Sequence, residues 1–507
     1  MGPHEEIEER SFVELQQRME SGELNAGSLL AAYIERIEQL DRQGPALHSV
    51  IELNPDAPAI ADALDRERSE RGPRGPLHGI PILIKDNIDT ADRMMTTAGS
   101  LALEGSHAPQ DAFVVERLRA AGAIIAGKAN LSEWANFRSN HSSSGWSGRG
   151  GQGKNPYVLD RNPCGSSSGS GQSVSANLIA AALGTETDGS IVCPSNNNGI
   201  VGIKPTVGLT SRAGVIPISQ SQDTIGPMTR TVADAATLLG AIAGVDPRDP
   251  ATAASSGESH NDYTPFLDEN GLKGARIGVV RAVYSGYSRA TDAVVEQSIQ
   301  VMRDLGAVIV DPADIPTAQE LKSSDAEFEV MLYEFKAGLN AYLATLGPNA
   351  PVRTLEEVIR FNQENADREM PYFGQDNFEK AQEKGPLTER AYLDALATCR
   401  RLAREQGIDA VMNAHKLDAL IAATGAPAWP IDLVNGDHYV GSSCGPAAMA
   451  GYPLITVPAG FAFGLPIGLT FMGRAFSEPT LIRLAYAFEQ ATKVRRPPLF
   501  LPTLSFS

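Results

Sequence analysis

Apolar residues in the first part of the chain recur at the spacing of a helix. In residues 12–19 and 29–37 they return every three or four positions, with charged and polar residues between them. A stripe of this kind forms one apolar face of an amphipathic helix. The pattern predicts an N-terminal helical segment within residues 1–70.

Short apolar runs then alternate with further helical patterns. The runs are typical of buried strands, and the longer periodic segments are typical of helices. The strands are predicted at residues 80–84, 123–127 and 199–203, and the helices at 111–121, 174–183 and 231–243. Strands that alternate with helices form a sheet whose faces the helices cover, so the predicted fold class is α/β.

Composition narrows the range of partners. The chain has 507 residues and a formal net charge of −18, from 61 acidic against 43 basic residues. Nucleic-acid binding needs a basic surface that neutralises phosphate, so no nucleic-acid partner is expected. No apolar run reaches the ~18 residues of a membrane span, so no membrane partner is expected either. The oligomeric state is left open.

The N-terminus and the cysteines bear on the compartment. The first ten residues are acidic and lack the apolar core of a signal peptide, so the chain as given is expected in the cytoplasm. Export with a signal that has been removed stays possible. The four cysteines, Cys164, Cys193, Cys399 and Cys444, lie in small-residue segments that predict burial. Free buried thiols are favoured, although an even number also permits disulfides. Neither cysteines nor histidines show metal-ligand spacing, so no metal is expected.

Three residues in special local settings indicate hydrolytic chemistry. Ser166 and Ser190 each lie in a glycine-rich segment, at residues 164–171 and 184–191, and Lys85 ends an apolar run. Glycine-rich turns bring backbone N–H groups close to a substrate and hold a side chain at their tip. Desolvation favours the neutral, basic form of a lysine. A serine nucleophile, a serine relay and a lysine base would make a hydrolase that needs no histidine.

The motifs around these residues resemble the amidase signature family. They read His78-Gly-Ile-Pro-Ile-Leu-Ile-Lys-Asp-Asn, Cys164-Gly-Ser-Ser-Ser-Gly-Ser-Gly, Gly184-Thr-Glu-Thr-Asp-Gly-Ser-Ile and Gly202-Ile-Lys-Pro-Thr. The resemblance covers about residues 77–236 and 409–496, and the third motif is similar to that of bacterial peptide amidases. It implies one domain with a mixed central sheet covered by helices on both faces. The expected parts are N-terminal helices (1–70), a catalytic core (71–245), a mainly helical cap or flank (264–405) and a C-terminal part of the core (406–507).

The resemblance also implies a role for each reactive residue. Ser190 would be the nucleophile, Ser166 the proton relay and Lys85 the base, with the Gly165–Ser166 peptide bond in the cis form. The oxyanion hole would consist of the backbone N–H groups of Thr187, Asp188, Gly189 and Ser190. The family's chemistry implies no metal and no organic cofactor.

The chain departs from the commoner family pattern in the turn around Ser190. Glu186 and Asp188 occupy a turn that more often reads Gly-x-Asp-x-Gly-Gly-Ser, so Asp188 adds a carboxylate beside the expected oxyanion hole. Val192 replaces an arginine that amidotransferase members often carry. The first departure leaves the substrate open, and the second argues against a tRNA-linked role.

Other readings of the serines and glycines are weaker. Either serine alone could simply cap a helix or fill a turn. Residues 165–169 fit the Gly-x-Ser-x-Gly elbow of other serine hydrolases, but a loop precedes them, and His415 and His438 lack an evident acidic partner. Residues 148–154 have the spacing of a phosphate-binding loop, but Asn-Pro follows where a helix should begin.

Three tryptophans are candidates for the substrate cleft. Trp134 and Trp146 lie in a polar loop before Ser166, where they would either anchor the loop or line an aromatic- or peptide-accepting cleft. Trp429 lies in a segment that resembles one reaching the family's active site.

We therefore expect an amidase that hydrolyses a linear amide through an acyl-enzyme on Ser190. The expected substrate is a small-molecule or peptide amide, with the C-terminal amide of a peptide favoured. Aryl amides, esters and carbamates are close alternatives. The catalytic component of a tRNA-dependent amidotransferase is a less favoured one, and so is a binding protein without activity on the same scaffold.

Overall fold

A computed structural model describes residues 6–504. The strands of this part of the chain are β1 (Val50–Leu53), β2 (Pro81–Lys85), β3 (Ile124–Ala129), β4 (Trp146–Ser147), β5 (Gly151–Gln152), β6 (Ala181–Glu186), β7 (Val201–Lys204), β8 (Thr224–Thr229), β9 (Arg276–Val279), β10 (Val308–Val310), β11 (Ala419–Ala423), β12 (Leu454–Ala462) and β13 (Leu465–Met472).

The α-helices of the same residues are α1 (Phe12–Glu20), α2 (Ala26–Arg36), α3 (Ala57–Arg71), α4 (Phe113–Ala120), α5 (Ser168–Ser175), α6 (Val192–Asn197), α7 (Val232–Ile242), α8 (Arg289–Asp304), α9 (Ala318–Ser323), α10 (Ala326–Thr345), α11 (Leu355–Glu364), α12 (Ala366–Glu369), α13 (Asp376–Gln382), α14 (Arg390–Arg400), α15 (Asp409–His415), α16 (Gly445–Ala450) and α17 (Glu478–Thr492). Within this described part, no helix is both long and apolar enough to cross a membrane.

A mixed sheet forms the centre of the fold. Across residues 6–504 it has eleven strands in the order β1-β3-β2-β6-β8-β7-β12-β13-β11-β9-β10, and β4 and β5 form a separate small hairpin. The pairs β2–β3 and β2–β6 are parallel, whereas β6–β8 and β12–β13 are antiparallel. Strands β2, β6, β8 and β13 are buried along their whole length, which requires cover on both faces. The predicted α/β class with a mixed central sheet is confirmed.

The predicted elements agree with the structure at most positions. The runs at 80–84, 123–127 and 199–203 correspond to β2, β3 and β7, and the patterns at 111–121 and 231–243 correspond to α4 and α7. The N-terminal segment contains the helices α1, α2 and α3, but it also contributes the edge strand β1. The segment at 264–405 is largely helical from α9 to α14, and it also contributes β9 and β10 to the sheet.

The predicted helix at 174–183 is wrong. The chain forms α5 earlier, and residues 181–186 form β6 in the middle of the sheet. Helix α5 is rich in serine and glycine, which favour helices poorly, but its small residues permit close packing. A Cβ atom at Gly169 would lie 2.1 Å from the backbone oxygen of Ser49. The alanine-rich segment that follows is short and apolar, so it serves equally well as a strand buried on both faces.

Candidate active site

The end of β2 and two turns beside β6 bring the three predicted residues to one place. Lys85 is the last residue of β2, which lies parallel to β6. Ser166 lies just before α5, and Ser190 lies between β6 and α6. In open α/β sheets the carboxyl ends of parallel strands commonly border the ligand site.

Lys85 lies at the centre of a buried hydrogen-bond cluster. Its Nζ is 2.7 Å from Ser166 Oγ, 2.8 Å from Thr185 Oγ1 and 3.2 Å from the Thr185 backbone oxygen. Asn87 Nδ2 also donates to Thr185 Oγ1, at 3.0 Å. Burial lowers the pKa of Lys85 to about 7, against the opposing charges of Asp223 and Glu186. Near neutral pH a large share of Lys85 is therefore an uncharged amine that can accept a proton.

The two serines are held by neighbouring backbone groups. The Gly165–Ser166 peptide bond is cis. The Ser132 N–H donates to the Ser166 backbone oxygen at 3.0 Å, and the Ser167 N–H donates to the Ser190 backbone oxygen at 3.1 Å. Ser166 thus contacts Lys85 directly, and Ser190 is joined to the same turn through Ser167.

The turn from Thr187 to Ser190 forms one wall of a cavity. Its conformation depends on Gly189, which has a φ of +82° and where an added Cβ would lie 3.0 Å from Cys444 Sγ. Glu186, just before the turn, accepts the N–H groups of Ile191 at 2.7 Å and Val192 at 3.0 Å. Its carboxylate therefore ties the end of β6 to the start of α6.

Asp188 points into the cavity beside the turn. Its side chain is exposed to the cavity but is surrounded by protein. This burial raises the pKa of its carboxyl group. A hydrogen bond with Cys444 and the charge of Lys204 oppose this rise. The sequence predicted the backbone N–H of Asp188 in the oxyanion hole and its carboxylate beside it.

The cavity has a volume of about 420 Å³. The predicted turn residues Thr187, Asp188, Gly189 and Ser190 all line it, together with Phe137, Trp429 and Tyr439. Among the described residues that line it, none is a lysine or an arginine. Tyr439 and Asp437 were missed because their loop has neither regular periodicity nor a recognisable motif.

The three tryptophans separate into two groups. Trp429 lines the cavity, and its role in substrate binding stays a prediction. Trp134 and Trp146 are buried but are not among the lining residues. Trp134 packs edge-on against Phe378, and Trp146 packs edge-on against Phe373. These edge-on ring contacts are with the helical segment at 264–405, so the structure places both as packing residues and does not bring them to the cavity.

The prediction of free thiols is wrong for two of the four cysteines. Cys164 and Cys193 form a disulfide, with Cα atoms 6.0 Å apart, while Cys399 and Cys444 are free and buried. The paired residues are separated by 29 positions in the sequence. They meet because the turns of Ser166 and Ser190 fold against each other, which local patterns do not reveal. In the described part of the chain, no group of three or more His, Cys, Asp and Glu residues could hold a metal ion.

Comparisons with known proteins show the family of this chain. A model of the amidase family matches residues 28–482. The crystal structure of native peptide amidase from Stenotrophomonas maltophilia is similar with a TM-score of 0.93 and 53% identity, covering 97% of this chain and 99% of that one. A probable amidase of Arabidopsis thaliana is 45% identical over 98% of this chain and 92% of its own length. A glutamyl-tRNA(Gln) amidotransferase subunit of Chloroflexus aurantiacus is 35% identical over 96% of this chain and 98% of its own length.

The chain belongs to the amidase signature family. It is an enzyme, a hydrolase that acts on the C–N bond of amides.

Proposed function

We propose that this amidase hydrolyses linear amides with Ser190 as nucleophile, Ser166 as proton relay and Lys85 as base, and that the C-terminal amide of a peptide is its substrate. The observation that carries the proposal is the 2.7 Å contact between the fully buried Lys85 Nζ and Ser166 Oγ, beside a cavity that Ser190 lines. Burial gives Lys85 the neutral form that a base requires.

The reaction would proceed through an acyl-enzyme. Neutral Lys85 accepts the proton of Ser166 as Ser166 accepts that of Ser190, and the Ser190 oxygen attacks the amide carbon. The negative charge on the carbonyl oxygen is stabilised by backbone N–H groups of the turn from Thr187 to Ser190. Ser166 then returns a proton to the leaving nitrogen, and ammonia or an amine departs. Water repeats the sequence on the ester and releases the acid.

The lining of the cavity supports an uncharged amide as substrate. None of the described lining residues is a lysine or an arginine that would hold a carboxylate in an ion pair, and the ionised forms of Asp188 and Asp437 would repel one. Trp429 and Tyr439 give an aromatic wall against which a peptide side chain can pack. The high similarity to a peptide amidase supports the same substrate class.

A role within a tRNA-dependent amidotransferase is the second candidate. It is favoured by the 35% identity to the Chloroflexus aurantiacus protein over nearly the whole chain. Val192, where such members often carry an arginine, and the net charge of −18 argue against it. The two candidates differ in whether the isolated chain completes an amide hydrolysis without further proteins.

The test is to purify the chain alone and offer it amidated peptides, the matching peptide acids, anilides, esters and carbamates, with products read by mass spectrometry. We expect a loss of the C-terminal amide and no cleavage of peptide acids. If anilides, esters or carbamates are turned over faster than amidated peptides, that class would replace the C-terminal amide as the proposed substrate. Inactivity on every substrate until tRNA and partner proteins are added would favour the amidotransferase role.

Replacing the nucleophile is the control for that panel. Ser190→Ala should abolish turnover and leave the fold intact, because a small residue in a turn contributes little packing. Loss of a nucleophile costs about 10⁶-fold in kcat in a serine hydrolase studied this way. Circular dichroism and kcat measured on the same preparation check both parts. A variant that retains more than about a hundredth of the wild-type rate would rule out Ser190 as nucleophile.

A further inference from the structure

The Cys164–Cys193 disulfide joins the two turns that hold the serines. Cys164 lies two positions before Ser166, and Cys193 lies three positions after Ser190. Both cysteines are largely buried, and both line the cavity. The covalent bond is therefore part of the cavity wall.

Neither serine lies within a regular element that would hold it in place. Ser166 precedes α5, which begins at Ser168, and Ser190 precedes α6, which begins at Val192. Cys164 itself has a φ of +60°, which is uncommon for a residue other than glycine. The positions of the serines therefore depend on ties between the turns.

These ties lie on both sides of Ser166. After it, the Ser167 N–H donates to the Ser190 backbone oxygen at 3.1 Å. Before it, the disulfide links Cys164 to α6. Hydrogen bonds also hold the chain farther upstream, including one of 2.9 Å from Asn198 Nδ2 to the Pro163 oxygen. The disulfide is thus the covalent member of this set of ties.

The disulfide also supports the aromatic wall. Trp429 packs in one apolar cluster with Cys164 and Cys193. Its backbone oxygen accepts the Asn162 N–H at 2.7 Å. Opening the bond would therefore loosen the turn of Ser166 and the surface on which Trp429 rests.

We propose that the Cys164–Cys193 disulfide is a positioning element of the active site, which holds Ser166 and Ser190 at the separation that proton transfer between them requires. The proposal rests on the catalytic roles proposed above for the two serines. A misplacement of about 1 Å can cost about 100-fold in rate. A dithiol such as dithiothreitol opens the bond by exchange: its two thiols become a disulfide, and Cys164 and Cys193 become thiols. The step is reversed by oxidation.

The test compares oxidised, reduced and reoxidised wild-type enzyme on one amidated peptide. Reduction with dithiothreitol should lower kcat by about 10- to 100-fold with a much smaller change in KM, and reoxidation should restore kcat. The assay is run at a temperature where circular dichroism shows the reduced enzyme folded. A Cys164→Ala/Cys193→Ala double variant should have the low kcat from the start and not respond to dithiothreitol. Cys399→Ala, which removes a distant free thiol, should respond like wild type.

Unchanged kcat after reduction, with a lower Tm alone, would show that the disulfide only stabilises the fold and would overturn the proposal. Thiol titration under denaturing conditions shows whether the bond opened. If reduction does not open the bond, the kcat of the double variant tests the proposal. If the double variant does not fold, the comparison of oxidised, reduced and reoxidised enzyme tests it. A different result would show that the proposed catalytic roles are wrong: the Ser190→Ala enzyme would remain active with its disulfide oxidised.

Discussion

At the scale of the residue, the proposed mechanism depends on the charge state of Lys85. Among the described residues, the hydrogen-bond partners of Lys85 Nζ are two hydroxyl groups and one backbone oxygen, and none of them is a carboxylate. Asp223 and Glu186 act on it only at longer range, so desolvation dominates and its pKa falls to about 7. The neighbouring strand offers a comparison: Lys128 is equally buried, but it donates to the Ile88 oxygen and Thr96 Oγ1, away from the serines.

The pH profile of kcat/KM tests Lys85 as the base. The folded-state pKa is lowered, so Lys85 is protonated and inactive well below pH 7 and neutral above it; kcat/KM should rise with pH through about 7. Lys85→Ala should lower kcat/KM by about 10²- to 10⁴-fold. Lys85→Arg should do no better, because a guanidinium stays protonated.

Lys128→Arg is the matched control, since it makes the same change in a buried lysine outside the site. It should retain the acid limb of the profile, whatever its effect on stability. An active Lys85→Arg enzyme with an unchanged acid limb would show that Lys85 is a structural cation.

At the scale of the element, β6 supports both serine turns. Ser167, beside Ser166, donates from Oγ to the Thr185 oxygen at 3.0 Å and accepts the Thr185 N–H at 3.2 Å. Gly184 leaves the space for this contact, because an added Cβ would lie 2.8 Å from Ser167 Oγ and 2.7 Å from Met228 Sδ. Strand β6 therefore sets the position of Ser167, next to Ser166, because Gly184 has no side chain that would fill this space.

Gly184→Ala tests that arrangement. The extra methyl group should lower the free energy of unfolding by about 1–3 kcal/mol, as overpacking of a core does. It should also lower kcat, because Ser167 must move and Ser166 adjoins it. Gly75→Ala, at a position with no atom within 4 Å of the added Cβ, is the control and should match wild type. Urea unfolding and steady-state kinetics report the two effects, and a destabilised variant with wild-type kcat would contradict the role assigned to β6.

At the scale of the whole molecule, a buried charge cluster joins the helical segment to the core. Arg138 pairs with Glu133 and donates to the Glu369 backbone oxygen, and its guanidinium lies 4.2 Å from the ring centre of Phe373. Burial raises the pKa of Glu133, while the charge of Arg138 opposes the rise. Glu369 in turn accepts the Ser100 hydroxyl at 3.0 Å. The cluster thus links α12 to the loops behind the cavity.

Arg138→Ala should lower the free energy of unfolding by about 3–5 kcal/mol, because it leaves a buried carboxylate without its partner. Arg138→Lys should recover only part of this, since an ammonium lacks the planar fork that reaches several partners and stacks on a ring. Urea denaturation measures both. Arg93→Ala, which breaks an exposed pair with Asp56, is the control and should have little effect. A cost for Arg138→Ala no larger than that of the control would mean that this cluster does not hold the helical segment.

Local patterns were enough to predict β2, β3 and α4. The short apolar runs are typical of buried strands, and the periodic stripe is typical of an amphipathic helix. The motifs also predicted Lys85, Ser166 and Ser190 as candidate catalytic residues, since glycine-rich turns and a lysine after an apolar run are visible in the residue order. The helix predicted at 174–183 failed because alanine and small residues fit a buried strand as well as a helix, and only the position of β6 in the sheet decides between them. The same limit applies to the Cys164–Cys193 disulfide and to the packing of Trp134 and Trp146 against the helical segment. Each of these depends on which distant parts of the chain meet and exclude water, and that is a property of the tertiary structure.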